Sequence, residues 1–430
     1  MELLLPTALL VALSLAGSRL SRKAPLCKFY WPALILKIAS GVALGLVYTH
    51  FYDGGDTWAY YHSGNNWVAL ATPWQLLGQL IGLDSIPEAV YEQHVTNNLR
   101  AMRMQWIVGA ITGFMQGNYW LISALFSLFA FSGLWRLANA CVRYLNAPKW
   151  AMVIAWLAYP GLVFWSSGLL KESLLLGSIG WLVSSALGWK FSAVFPYTRL
   201  DGLLQLIFAI VGIWVLWYLK YYYFAVLFVA LSSWLATDAA LQYPFFRKNI
   251  GYLVGGLLVV IFLSIKIGQQ VYPLLSADRI VESIYDNYVL LSSDPPDPSS
   301  QIILPRMEPS CWGLLQSWPK ALWEGFTRPY PWEDGHIFKL LNSSDGLIMA
   351  ISLGGMLAGR RWLPSAYRMR WLCLFGAMYV FTLGSLLSIA APNLGALARY
   401  RVGYTPFLLA YLLTMGRVFW ERIYRRLANH

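Results

Sequence analysis

An all-α polytopic membrane protein with about eleven transmembrane helices is the fold class this sequence predicts, and three observations predict it. Of its 430 residues, 58% are hydrophobic and 12% charged, about half the charged share of an average soluble domain. Mean hydropathy is +0.52, and the apolar residues gather in runs long enough to cross roughly 30 Å of hydrocarbon as helix. The 22 Trp and 26 Tyr suit the aromatic belts at the two membrane interfaces. The chain therefore reads as a single integral membrane domain, 1–430.

In order, the expected spans are Leu3 to Gly17, Trp31 to Tyr48, Tyr119 to Ala140, Trp150 to Trp165, Leu170 to Trp189, Leu203 to Leu219 and Tyr222 to Ala236. Gly251 to Ile267, Gly346 to Gly359, Trp371 to Ala391 and Val402 to Phe419 complete the set. Met104 to Gly117 is a further apolar stretch, short enough to lie in the interface or to re-enter. The first run has no Lys or Arg before it and its basic cluster after it, the reverse of a signal peptide, so an uncleaved helix is expected.

Charge sets the orientation. Nineteen of the 32 Lys and Arg fall in alternate short loops and the tail: Arg19 to Lys28, Arg136 to Lys149, Lys190 and Arg199, Arg247 and Lys248, Arg360 to Arg370, and Arg417 to Arg426. By the positive-inside rule those face the cytoplasm, with the N-terminus outside and the C-terminus inside. Two large segments then lie outside: 49–118, an outer loop with an acidic motif and juxtamembrane helices, and 267–345. In the first, "PWQLLGQLIGL" begins a short helix at Pro73, and the stretch from Ser85 and Pro87 reads as amphipathic. In the second, a helix is expected over Ser276 to Leu291. Another carries Trp318, Leu322, Trp323 and Phe326 at helical spacing and stops at Arg328-Pro329.

This orientation collects the charged residues near the outer span ends into candidates for chemistry. "YDGGDTWAYYH" holds Asp53 and Asp56 on a glycine turn, followed by Tyr60, Tyr61 and His62. Such carboxylates can act as general base or hold a divalent cation (Mg or Mn), and the rings can stack on a sugar face; a solvated Asp-Gly-Gly turn is the plain alternative. "FWSSGLLKES" opens a span with Lys171 and Glu172. Glu172 suits the positive end of a helix, whereas Lys171 opposes it and suits a phosphate contact. Lys220 sits between two spans with no room for a loop, where it either snorkels or meets phosphate. "RPYPWE" places Arg328 and Glu333 around two prolines, and "ARYRVGY" places Arg399 and Arg401 on the outer side, against the topology rule. There they bind an anion or anchor lipid headgroups. Charge at membrane depth ordinarily faces a cavity or a partner.

Other classes find little support. The basic residues form no continuous face for nucleic acid. Cys27, Cys141, Cys311 and Cys373 lack metal or dithiol spacing, and the histidines form no HExxH or HxH pair. No phosphate-binding loop or dinucleotide fingerprint occurs.

With "DGGDTWAYY" in the first large outer loop, then "FWSSGLLKES", "RPYPWE" and "ARYRVGYTP", the chain resembles the GT-C superfamily of polytopic glycosyltransferases. It resembles more loosely the EpsG-like and O-antigen-polymerase-like proteins of bacterial polysaccharide biosynthesis. That family carries an acidic motif in its first outer loop, flanked by juxtamembrane helices. Here the spacing is Asp-x-x-Asp, and one more helix precedes it. The resemblance implies an inner-membrane transferase with an extracytoplasmic active site. It moves a sugar from a polyprenyl-phosphate-linked donor to a hydroxyl on a glycan or lipid-linked acceptor. Asp53 or Asp56 serves as base with Glu172 beside it, and inversion accompanies the single displacement. Lys171, Lys220, Arg328, Arg399 and Arg401 then meet the lipid phosphate, and Tyr60, Tyr61, His62 and Glu333 line the substrate. The alternatives are a Wzy-like polymerase or ligase, in which Arg399 and Arg401 carry more of the work, and a transporter or flippase of a lipid-linked glycan. Against transport, no inverted repeat is evident.

Overall fold

The computed structural model describes residues 3–51, 54–83, 99–195, 198–271, 276–292, 300–305, 307–333, 337–359 and 367–428. Asp53, the expected helix after Ser85, the Pro/Ser linker at 293–299, His336 and the Arg360-Arg361 pair lie outside them. Among the described residues the chain is helical throughout and forms no strand, only one isolated bridge between Gln301 and Asn393.

Among the described residues three helices are long and apolar enough to cross a membrane: Cys27–His50, Tyr119–Leu145 and Arg199–Ala240. The 42-residue helix Arg199–Ala240 leaves helical geometry at Lys220 (φ −147°, ψ 76°), so it supplies both runs expected on either side of that lysine. Shorter apolar helices include Leu4–Leu20, Leu258–Gln270, Gly376–Ile389 and Thr405–Met415. Large apolar side chains stand out on their surfaces, such as Leu5, Ile35, Ile210 and Phe262, while serines such as Ser127, Ser166, Ser178 and Ser185 are buried. Apolar outside and small polar inside is the arrangement lipid selects.

The chain divides into two compact units, 1–158 with 162–221 and 159–161 with 222–430. The first contains α1 (Leu4–Leu20), α2 (Tyr30–His50), α3 (Gly55–Leu70), α4 (Pro73–Leu80), α5 (Leu99–Phe114) and α6 (Tyr119–Leu145). After α7 (Lys149–Val153) and a π-helical turn at Ile154–Ala158 come α8 (Pro160–Trp165), whose first two residues belong to the second unit, α9 (Lys171–Lys190) and the first half of α10 (Arg199–Ala240). Local chemistry sets several boundaries. Thr72 and Gln75 form a reciprocal capping box at the start of α4, with Pro73 in its first turn, satisfying amides that a helix start leaves unpaired. The Asn118 side chain accepts from the Leu121 N–H to begin α6, and Asn146 in the left-handed conformation (φ 56°) ends it.

The first unit is organised around α6 and α9, which run parallel. Gly168 meets Ser127, Gly180 meets Gly133, and Phe191 stacks on Tyr144. At the crossing the two backbones nearly touch: a Cβ on Gly133 would collide with the Gly177 carbonyl, the small-residue contact that lets membrane helices approach closely.

One expectation is corrected. The run Trp150 to Trp165 is not one continuous span but is interrupted around Tyr159 and Pro160, where a proline cannot donate the helical hydrogen bond. The turn before Lys171 packs against the side of α6. Gly168 N–H donates to Ser127 Oγ at 2.8 Å, eight residues into α6. That places the turn about 12 Å below the Tyr119 end at 1.5 Å per residue. The DGGD segment also differs from a simple turn, because α3 begins at Gly55 and carries Asp56 in its first turn.

The second unit holds the second half of α10, α11 (Pro244–Lys248), α12 (Ile250–Val271), α13 (Ala277–Ser292) and α14 (Cys311–Thr327). After these come α15 (Ile337–Gly359), α16 (Tyr367–Ile389), α17 (Leu394–Arg401), α18 (Thr405–Met415) and α19 (Arg417–Ala428). As expected, α13 fills the capped stretch and α14 stops at Arg328. The last expected span, Val402 to Phe419, resolves into α18 and α19 with a junction at Gly416, so Arg399 and Arg401 sit on a separate short helix.

Candidate functional site

The strongest constellation is in the first unit and is built from the buried turn upward. Lys171 and Glu172 are the first two residues of α9. Glu172 is 2% exposed, and its Oε1 accepts from Lys220 Nζ at 3.1 Å. The break at Lys220 lies where that side chain reaches Glu172. At the positive end of α9 the carboxylate also gains from the unpaired amides of the first turn.

Lys171 is half-buried, with its ammonium 5.1 Å from the centroid of the Tyr60 ring, a cation–π geometry. Asp56, exposed in the first turn of α3, and Arg100 of α5 lie within its electrostatic reach, as do Glu172 and Lys220. Five residues expected from sequence are thus assembled: Asp56, Tyr60, Lys171, Glu172 and Lys220.

The neighbouring aromatic residues are packed on one another. Trp58 stacks on Tyr119 at 4.0 Å and 14° and lies over His62 at 6.0 Å and 28°. Tyr61 donates its hydroxyl to the Gly117 carbonyl at 2.5 Å, and Thr57 and Tyr119 share a hydrogen bond at 2.8 Å. Thr57, Trp58 and Tyr61 hold α3 against the start of α6, while His62 packs on Trp58 and Tyr61 of its own helix and is exposed.

A second constellation forms in the other unit. Arg328 grips Glu333 in a two-pronged pair, Nε to Oε1 at 2.8 Å and Nη2 to Oε2 at 3.0 Å, with Glu324 at 3.4 Å. The Glu333 hydrogen bond raises the Arg328 guanidinium above its ordinary value, outweighing burial. Burial pushes the Glu333 carboxyl up, but hydrogen bonds from Arg328 and the Tyr330 N–H, with the Arg328 charge, outweigh it and hold the group below its usual 4.5. A carboxyl depressed in the folded state adds stability above its unfolded pKa and loses it as pH falls through the lower folded value. Glu333→Gln is therefore expected to flatten the loss of thermal stability below pH ~4.5 relative to the parent protein. Identical acid limbs in the two proteins would show the pair to be inert.

Arg401 is 2% exposed and committed internally. Its Nη1 donates to the Arg328 carbonyl at 2.6 Å and its Nη2 to the Asn342 carbonyl at 2.5 Å, with Asp345 Oδ2 at 3.9 Å. Asp345 Oδ1 accepts from the Gly161 N–H at 2.9 Å. Arg399 is half-buried two residues earlier on α17, a spacing that puts the two guanidinium groups on different faces. They do not form one clamp.

Sequence reasoning missed Lys37, Arg100, Arg103 and Asp345. Lys37 carried a readable signal, a charge in mid-span. Asp345 carried none, because its partners come from distant segments. Among the described residues no group of three His, Cys, Asp or Glu side chains could hold a metal. Asp53, which with Asp56 makes up the expected Mg or Mn site, lies outside the described residues. No protein-family model, no curated protein and no solved structure matches this chain.

Proposed function

We propose that the chain is a membrane glycosyltransferase that moves a sugar from a polyprenyl-phosphate-linked donor to an acceptor hydroxyl. In this reading it crosses the bacterial cytoplasmic membrane about eleven times and works on the extracytoplasmic side. The observation that carries the reading is the Lys171 ammonium set over Tyr60, beside the buried Glu172–Lys220 pair and within reach of Asp56.

Asp53 or Asp56 takes the acceptor proton as the acceptor oxygen bonds to the anomeric carbon. The bond from that carbon to the phosphate oxygen breaks, and the lipid phosphate leaves with the electron pair. Lys171 meets the developing charge. Lys220, held by Glu172, adds positive potential in a site from which water is largely excluded, where such charge is most effective. A single displacement inverts the anomeric centre. Within the second unit, the buried Arg401 and Asp345 maintain packing.

Asp53→Asn and Asp56→Asn, assayed separately for glycan transfer by the purified protein in liposomes, identify the base. Loss of about 10²-fold or more is expected in one of them. Full transfer by both variants would remove the base role, and loss on Arg399→Ala instead would point to a polymerase.

A further inference from the structure

The two lysines of the site share a backbone context. Lys171 follows a helix interruption inside the first unit and Lys220 sits at one, and at each a basic side chain from another helix takes carbonyls just before the break. Ahead of Lys171, α8 stops at Trp165, and Ser166, Ser167, Leu169 and Leu170 are wholly buried. Lys37, from the middle of α2 and 4% exposed, directs its ammonium to the Leu162 and Val163 carbonyls at 3.4 Å and to Ser166 Oγ. The Ser166 and Ser167 hydroxyls donate to the same two carbonyls. Ahead of Lys220, Arg103 of α5 donates Nη1 to the Tyr218 carbonyl at 2.9 Å, and its guanidinium lies 4.2 Å from the Tyr218 ring centroid.

Ahead of Lys171 the Leu162 carbonyl keeps its helical donor, the Ser166 N–H at 3.2 Å, whereas the Ser167 N–H bonds Phe164 in place of Val163. A carbonyl that loses its helical donor inside an apolar bundle needs one from elsewhere. A buried amine or guanidinium supplies it, so it favours the interrupted over the continuous helix. A continuous α10 would re-aim the Lys220 side chain away from Glu172. A straightened segment ahead of α9 would withdraw Lys171 from Tyr60.

We propose that Lys37 and Arg103 are positioning residues of the site: Lys37 holds the buried turn that aims Lys171, and Arg103 holds the break that aims Lys220. The inference rests on the reading of these two lysines as the phosphate contacts.

Brief acetic anhydride labelling of the full-length protein in detergent, resolved by residue with mass spectrometry, tests it without any substrate. Arg103→Met is expected to raise Lys220 labelling about tenfold, as a local opening exposes it, and to leave Lys171 as in the parent. Lys37→Met is expected to raise Lys171 labelling severalfold and leave Lys220 protected. Arg103→Lys, which keeps a cationic donor, restores part of the Lys220 protection. Parent-like labelling of both lysines in both variants would overturn the proposal. So would an equal rise at both lysines in either variant, the signature of packing loss alone. Should a methionine variant not fold, the glutamine variant at that position is read by the same outcomes. Failure of this test leaves the transfer reading standing, and a failed transfer assay leaves the labelling result intact.

Discussion

Lys220→Met removes about 3–5 kcal/mol of stability, the loss expected when one member of a buried ion pair is deleted and the other loses that counter-charge. The group left behind is Glu172, 2% exposed at the first turn of α9. Because the cost comes from a buried charge that has lost its counter-charge, the double variant Lys220→Met/Glu172→Leu recovers most of it; buried pairs replaced together by apolar groups are often neutral. Unfolding of the single and double variants in detergent measures both steps. Equal stability of Lys220→Met and the parent would mean that Glu172 is solvated in a way the buried pair does not allow. Transfer activity is expected to separate from stability: the double variant folds but does not catalyse, since it lacks the cation.

The second large effect is in the other unit. Arg401→Met leaves the Arg328 and Asn342 carbonyls without their guanidinium donors and strips Asp345 of its nearest cation. Two part-buried carbonyls and the buried Asp345 carboxylate lose a partner at once, so the expected cost is again about 3–5 kcal/mol. Asp345→Asn is milder, because the amide oxygen still accepts from Gly161 N–H. Arg399→Met, at a half-buried position two residues away, is expected to cost less than about 1 kcal/mol. The contrast between adjacent arginines of one short helix is the measurement. Equal losses at Arg399 and Arg401 would contradict the division of labour.

Much of the helical order was legible because hydropathy and capping are local properties. The Pro73 helix, the α14 stop at Arg328 and the two runs meeting at Lys220 all follow from residues adjacent in sequence. Depth was not legible. Nothing in "FWSSGLLKES" says that its turn lies level with Ser127; that depends on the parallel packing of α6 and α9 through Gly133, Gly177 and Gly180. The interruption near Pro160 carried a proline as its signal, but uninterrupted hydropathy across Trp150 to Trp165 masked it. Arg399 and Arg401 looked alike as sequence, and only the carbonyls brought from Arg328 and Asn342 separate them. In the site, charge type and spacing pointed to Lys171, Glu172 and Lys220. Their supports, Lys37 and Arg103, come from other helices and have no local motif.

The central claim is that Lys171, set over Tyr60 beside the Glu172–Lys220 pair, receives the phosphate of a lipid-linked sugar. Native mass spectrometry of the full-length protein, mixed with equal amounts of polyprenyl phosphate and the uncharged polyprenol, measures this directly. The account predicts a clear preference for the phosphate form in the parent protein, about tenfold or more for a charge-assisted contact in a low-dielectric site, and loss of that preference in Lys171→Met. Equal retention of the two lipids by the parent, or an undiminished preference in Lys171→Met, would contradict it.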